Sequence, residues 1–275
     1  MENYPKLRII YQPRGRAREY APLAANLYNG CGNGCRYCYV PAIMKIDRET
    51  FNAGANIRDR IIKKLDLDLR DMQKWEKTPP IYFSFTTDPY NHLDREIQLM
   101  RSAVKMIKEY GFRIQILTKS GLYAARDFDL LDKEDTVAST LTFMDPTKSQ
   151  YWEPRAELPK QRIELLKRAK EKGFRTWVSL EPVIEPDETM ACIDASHEYV
   201  DLYKVGKLNH YKTDIDWHKF GEEVQEKLIG LNKEFYIKDD LKKHTHDHGL
   251  TLEEIESRLV QTWPKKGRHE DGWLI

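Results

Sequence analysis

CGNGCRYCYV, residues 31–40, places Cys31, Cys35 and Cys38 on one short loop with two glycines and two tyrosines. Three thiolates can hold three irons of a four-iron cubane and leave the fourth open, whereas structural zinc sites and ferredoxin-type clusters take four protein ligands. Gly32 and Gly34 let the backbone approach a compact inorganic core closely. The fourth cysteine, Cys192, falls in an amphipathic pattern with Met190 and Ile193 and reads as a small core residue. Cysteines spaced this way make a poor disulfide framework and a reasonable thiolate cluster for a reducing compartment.

Outward from this loop, the chain alternates apolar runs of strand length with helical patterns, as βα units around a parallel sheet do. The first run, residues 23–28, ends directly before the cysteines. The spacing of Ile57, Ile61, Ile62 and Leu65 predicts a crossover helix over 50–75. Further strands are predicted at 81–87, 112–118, 136–143, 175–180, 200–206 and 234–238. Between them lie helical patterns at 97–107 closed by Gly111, at 121–133, at 159–172 closed by Gly173, at 187–198 and at 215–230. Six or seven parallel strands with right-handed crossovers make an α/β fold, a partial (βα)6 TIM-like barrel whose reactive residues sit after the strand C-terminal ends. No Gly-rich dinucleotide fingerprint follows the first strand, and the strands are too few for eight units. Residues 1–240 are expected to form the barrel and 241–275 a C-terminal extension. In the extension, Thr251-x-x-Glu254 opens a helix to about Trp263, and the last dozen residues read as a tail.

The 275 residues carry 45 Lys+Arg against 44 Asp+Glu, a formal charge of +1, so the chain as a whole exerts no strong pull on nucleic acid or anionic membrane. No run approaches the roughly 18 apolar residues of a membrane span, and the N-terminal stretch lacks a secretory apolar segment. The expectation is a cytoplasmic protein without a membrane partner. His244, His246 and His248 stand in a polar, turn-rich stretch and read as a solvated loop.

The cysteine loop after the first strand resembles the radical S-adenosylmethionine (SAM) superfamily, and within it the spore-photoproduct-lyase-like branch. Gly30, Cys31, Cys35, Tyr37, Cys38 and Tyr39 match that branch's G-C-x-x-x-C-x-Y-C-Y. Thr86, Thr87 and Asp88 match its T-[ST]-D, Thr118 and Lys119 its T-K, Ser139 its strand-four serine, and Glu153, Pro154, Arg162 and Ile163 its E-P and R-I. The likeness runs over about residues 20–185. It implies a barrel of the radical SAM type and a 4Fe-4S cluster on Cys31, Cys35 and Cys38 whose open iron is chelated by S-adenosyl-L-methionine. One-electron cleavage then gives a 5'-deoxyadenosyl radical that takes hydrogen from a substrate. By position, Tyr37 touches the adenine side, Lys119 and Arg162 suit the carboxylate or ribose, and Ser84, Thr86 and Ser139 supply hydroxyls. Asp88 accepts from the ligand's ammonium or from substrate. Such an enzyme needs an electron donor of the flavodoxin or ferredoxin kind.

Two features qualify the resemblance. The branch carries a cysteine hydrogen donor where this chain has Phe85, which cannot return a hydrogen atom, so thymine-dimer repair by that route is not expected. Phe85, Tyr39 and Tyr90 are instead expected to line a pocket. Glu181, Lys204, Lys238 and Asp239 fall at the predicted ends of the last three strands, where charges are candidates for substrate contact. The substrate stays open between a nucleotide or nucleic acid and a small metabolite or peptide. A zinc-stabilised binding module is the alternative from another class.

Overall fold

The computed structural model describes residues 5–259 and the backbone of 261–262. Seven strands make the main sheet: β1 (Leu23–Ala24), β2 (Ile81–Phe83), β3 (Ile114–Thr118), β4 (Thr136–Thr140), β5 (Arg175–Val183), β6 (Leu202–Lys207) and β7 (Glu234–Ile237). They lie in sequence order, and every neighbouring pair is parallel. Unbroken order of this kind puts each crossover on the same face and curls the sheet. The crossovers include helices α1 (Ile61–Met72), α2 (Leu99–Glu109), α3 (Pro159–Glu171), α4 (Pro186–Ser196) and α5 (Trp217–Gly230). The architecture is the expected partial barrel, with seven strands.

Period-two alternation along the strands separates two apolar layers. Ile81, Phe83, Ile114 and Ile116 face outward and pack with Leu65 and Leu69 of α1 and Val104 and Ile107 of α2. Val178, Leu180, Val205 and Ile237 do the same against Ile193 of α4 and Val224 and Leu228 of α5. Each such side chain contributes roughly 1.5–3 kcal/mol when fully buried. Ala24, Tyr82, Ala138, Trp177, Leu202 and Tyr236 form the inner layer, joined by Ile255 of the C-terminal stretch. Arg113, just before β3, donates to the Leu259 carbonyl at 3.3 Å, so this stretch packs at the end of the barrel where the strands begin. The opposite end is left to the loops that carry the cysteines.

Several local expectations need correction. β1 has two residues because the Asn26 side chain, not a strand, accepts from the Phe85 and Thr86 amides, both at 3.0 Å. Tyr28–Asn29 then pairs with Asn56–Ile57 in a separate antiparallel ribbon. The helix expected over 50–75 is therefore interrupted: Asp47 caps a short helix, Arg48–Asn52, and α1 starts only after Arg60, which is left-handed at φ 48°. Residues Gly121–Asp127 form a 3-10 turn, with Gly121 at φ +52° and so close to α3 that a Cβ there would lie 2.9 Å from Gln161. Gly111 and Gly173 do close α2 and α3; the following amides, Phe112 and Phe174, reach back to the Ile107 and Ala169 carbonyls at 3.1 and 3.0 Å. The capping box at Thr251 and Glu254 is present, but its helix ends at Ser257. Trp263 and the expected tail lie outside the described residues. Among the described residues no helix is long and apolar enough to cross a membrane.

Candidate active site

Backbone contacts fix the cysteine loop on all sides. Gly30 sits at φ +74°, and a Cβ there would lie 2.3 Å from the Gly54 carbonyl oxygen. The Cys31 amide donates to the Phe51 carbonyl at 2.9 Å, and the Arg36 amide to that of Trp152 at 2.8 Å. Arg48 donates to the Cys35 and Cys38 carbonyls at 3.2 and 2.7 Å and so ties two turns of the loop together. All three thiols are free, and all three line one cavity of about 560 Å³.

Burial pushes the Cys31 thiol up to about 11 and raises Cys35 and Cys38 as well, because a thiolate loses its hydration there. Lys119 opposes this shift for Cys35 and Cys38 but does not overcome it. Thiolates at these positions therefore need further positive charge, which a bound iron core supplies. The donor set fits such a core. Among the described residues no three His, Cys, Asp or Glu side chains converge on a single-ion site. Three cysteines supply three thiolates, one fewer than the four ligands a structural zinc site takes. Cys192 is fully buried in the outer layer beside Ile193, as expected of a core residue, and is not part of the cavity wall.

Ser84, Thr86, Asp88 and Lys119 follow β2 and β3 and line the same cavity as the cysteines. Asp88 has little capacity left for a ligand. One oxygen accepts from Thr118 at 2.7 Å and the Tyr90 amide at 2.9 Å; the other accepts from the Lys119 amide at 2.7 Å and from Asn33 at 3.3 Å. It joins the cysteine loop to the end of β3. The Lys119 ammonium, half-buried, lies 5.8 Å from the centre of the Tyr37 ring. Tyr37 itself donates to Glu153, which is ion-paired with Arg162 at 2.5 Å. Burial pushes the Glu153 carboxyl up, but the charges of Arg162 and Lys119 outweigh it and leave it below the ordinary value.

Five expected residues are not on the wall, among them Asp239, which opens a short helix after β7 and whose amide donates to Glu19 at 2.7 Å. Alternation along β4 turns Ala138 and Thr140 inward and Ser139 outward, where its hydroxyl donates to the Thr118 carbonyl at 2.9 Å; Thr140 lines the cavity in its place. Arg162 lies behind the wall on α3, 1 % exposed, bonded to the Thr140 and Glu157 carbonyls at 3.0 and 2.8 Å. Lys204 faces the barrel interior below the cavity, donates to the Glu19 and Tyr20 carbonyls at 2.8 and 3.0 Å, and lies 5.1 Å from the Trp177 ring centre. Tyr90 is packed in the outer core under Arg126. Phe85 and Tyr39 do line the cavity.

Across the cavity, Glu181 stands on β5 with Lys238 just after β7 and Tyr20 from the N-terminal segment. Lys238 donates to Glu181 at 2.5 Å, and the Tyr20 hydroxyl donates to the same carboxylate oxygen. Residues 14–20 were not anticipated as part of the site; they carry no strand or motif, and only the folded chain brings Arg14 and Tyr20 to the cavity.

The family model described as the Radical SAM superfamily matches residues 25–200. An uncharacterized protein of Acidianus two-tailed virus is 28% identical over 225 residues, covering 77% of this chain and 69% of its own length. An uncharacterized protein of Methanocaldococcus jannaschii is 29% identical over 170 residues, covering 61% and 62% respectively. Among solved structures, Streptococcus suis SuiB bound to its precursor peptide SuiA superposes with a TM-score of 0.60 at 15% identity, over 80% of this chain and 49% of SuiB. A variant of spore photoproduct lyase gives 0.58 at 12% identity, over 80% of this chain and 76% of that one. At such identities the likeness speaks for the fold, and this chain spans about half the length of SuiB.

Proposed function

Because this chain belongs to the radical SAM superfamily, we propose that the cavity is the active site of an enzyme in which Cys31, Cys35 and Cys38 hold a 4Fe-4S cluster with one iron free for S-adenosyl-L-methionine. The observation that carries this reading is the placement of three free thiols on the lining of one cavity that Lys119 also lines. When bound, the cluster and S-adenosyl-L-methionine supply a one-electron cleavage whose radical abstracts hydrogen from a substrate held nearby.

The chain's own residues bind and orient. Arg48 and the left-handed glycines hold the loop so that the sulfurs face the cavity. Lys119 is a half-buried cation suited to the carboxylate of a methionine moiety; Thr86 lines the same cavity, as does Ser84, whose hydroxyl donates to the Thr87 carbonyl. Tyr39, Tyr82 and Phe85 present apolar faces that exclude water from a reactive centre. Ser139, Arg162 and Glu153 act from behind the wall as positioning residues. Phe85 carries no exchangeable hydrogen, so the reaction does not return hydrogen through this position. Glu181 contacts substrate, and the electron comes from a flavodoxin- or ferredoxin-like donor.

Anaerobic reconstitution with iron and sulfide, followed by reduction with dithionite and added S-adenosyl-L-methionine, tests the reading. It predicts a brown protein with about four irons per chain that forms methionine and 5'-deoxyadenosine, and no product from Cys35→Ala. A single zinc per chain, with no deoxyadenosine formed, would overturn it.

A further inference from the structure

Glu181 stands at the C-terminal end of β5, on the wall facing the cysteine loop that follows β1. Its two oxygens differ. Oε2 accepts from Lys238 at 2.5 Å and from Tyr20, whose hydroxyl is also 3.0 Å from Ser179. Lys238 is in turn 3.5 Å from Glu19 and sits 4.1 Å above the Tyr20 ring, so the carboxylate is locked from one side. Oε1 has no protein donor among the described residues, yet it is not one of the fully buried atoms, and the side chain lines the cavity. Gly206 on β6 makes room for it: a Cβ there would lie 2.8 Å from Oε1 and 2.9 Å from the Lys238 side chain.

Flat apolar faces stand beside this acceptor. The Tyr82 and Phe85 rings are 4.4 Å apart, and Tyr20 meets Phe85 edge-on at 5.8 Å. Arg14 and Lys207 line the same cavity. A fixed hydrogen-bond acceptor at the edge of an aromatic surface, with cations near it, is the pairing that reads a planar base by its in-plane N–H while its phosphate side meets positive charge. Resting on the function proposed above, we propose that the substrate is a nucleobase-containing molecule whose N–H donates to Glu181 Oε1, and that Gly206 sets this specificity by leaving the carboxylate its place.

Glu181→Gln tests this without changing shape. Lys238 offers only donors, so the glutamine must turn its oxygen toward Lys238 and present an NH2 to the cavity, replacing an acceptor by a donor. Binding of adenosine, cytidine, guanosine and uridine, each paired with the analogue methylated until its Watson–Crick edge carries no N–H, is measured by calorimetry on anaerobically reconstituted protein saturated with S-adenosylhomocysteine. At least one nucleoside binds and loses about tenfold or more on methylation. Glu181→Gln loses a similar factor and no longer distinguishes the methylated analogue, and Gly206→Ala, which displaces the carboxylate, weakens the same nucleoside. Thermal melting checks that both variants remain folded. Binding by none of the four, or an undiminished methylation effect in Glu181→Gln, overturns the proposal. Deoxyadenosine formation without N–H-dependent binding defeats this inference alone; N–H-dependent binding without a cluster defeats the cofactor reading alone.

Discussion

The Tyr37 hydroxyl donates its hydrogen bond to Glu153, a carboxylate that is 1 % exposed. Tyr37 lies between two of the cysteines, and Glu153 is held in turn by Arg162 of α3, so the cysteine loop is fastened to the barrel's outer helix through a buried charge. Removing Arg162 would leave that charge unpaired. Arg162→Ala is expected to cost about 3–5 kcal/mol, read from urea denaturation of the apoprotein. Tyr37→Phe, which removes one acceptor's partner and no charge, should cost about 1–2 kcal/mol. Equal and small effects for the two would show that the pair does not brace the loop.

Asp88 gives the second prediction. Its oxygens are filled by donors from Thr118, Asn33 and the Tyr90 and Lys119 amides, so its work is to hold two loops together. Asparagine in its place presents an NH2 to at least one of these donors. Asp88→Asn should lower stability by about 2–3 kcal/mol and lower iron retained per chain after reconstitution. Full iron content with loss of turnover alone would instead make Asp88 a ligand contact.

Lys204 gives a pH signature. Burial, with Lys238 nearby, lowers its ammonium to about 7, whereas the unfolded chain keeps it near 10.5. Between these values the unfolded state binds the extra proton, so this group makes stability rise with pH from about 7 upward. Below 7 both states are protonated and its slope vanishes. The slope reaches about 1.4 kcal/mol per pH unit at most. Lys204→Met should abolish this component of the stability curve between pH 7 and 9, whatever it does to the absolute value through the lost bonds to Glu19 and Tyr20. A curve of unchanged slope would place a solvated ammonium at this position.

Much of this molecule is legible before folding is considered. The βα rhythm, the glycine caps at 111 and 173 and the three-cysteine loop are local signals, and each is found where the sequence places it. Register is less legible. Whether Ser139 or Thr140 faces inward is decided by the phase of β4 against its neighbours, and a one-residue phase exchanges wall for core. Arg162 carries a motif, yet it falls on the helical face of Leu165, Leu166 and Ala169, which turns its guanidinium inward behind the wall. Least legible are Tyr20, which arrives from a segment with no periodicity, and Gly206, whose meaning depends on Glu181 one strand away.

A cluster with one iron open to the sulfonium ligand would be visible in electron paramagnetic resonance of the reduced, reconstituted protein. The expected spectrum is that of a reduced 4Fe-4S cluster, changed when S-adenosyl-L-methionine is added and lost in Cys31→Ala, Cys35→Ala and Cys38→Ala alike. A cluster spectrum indifferent to the ligand, or one that survives loss of any of the three cysteines, would contradict it.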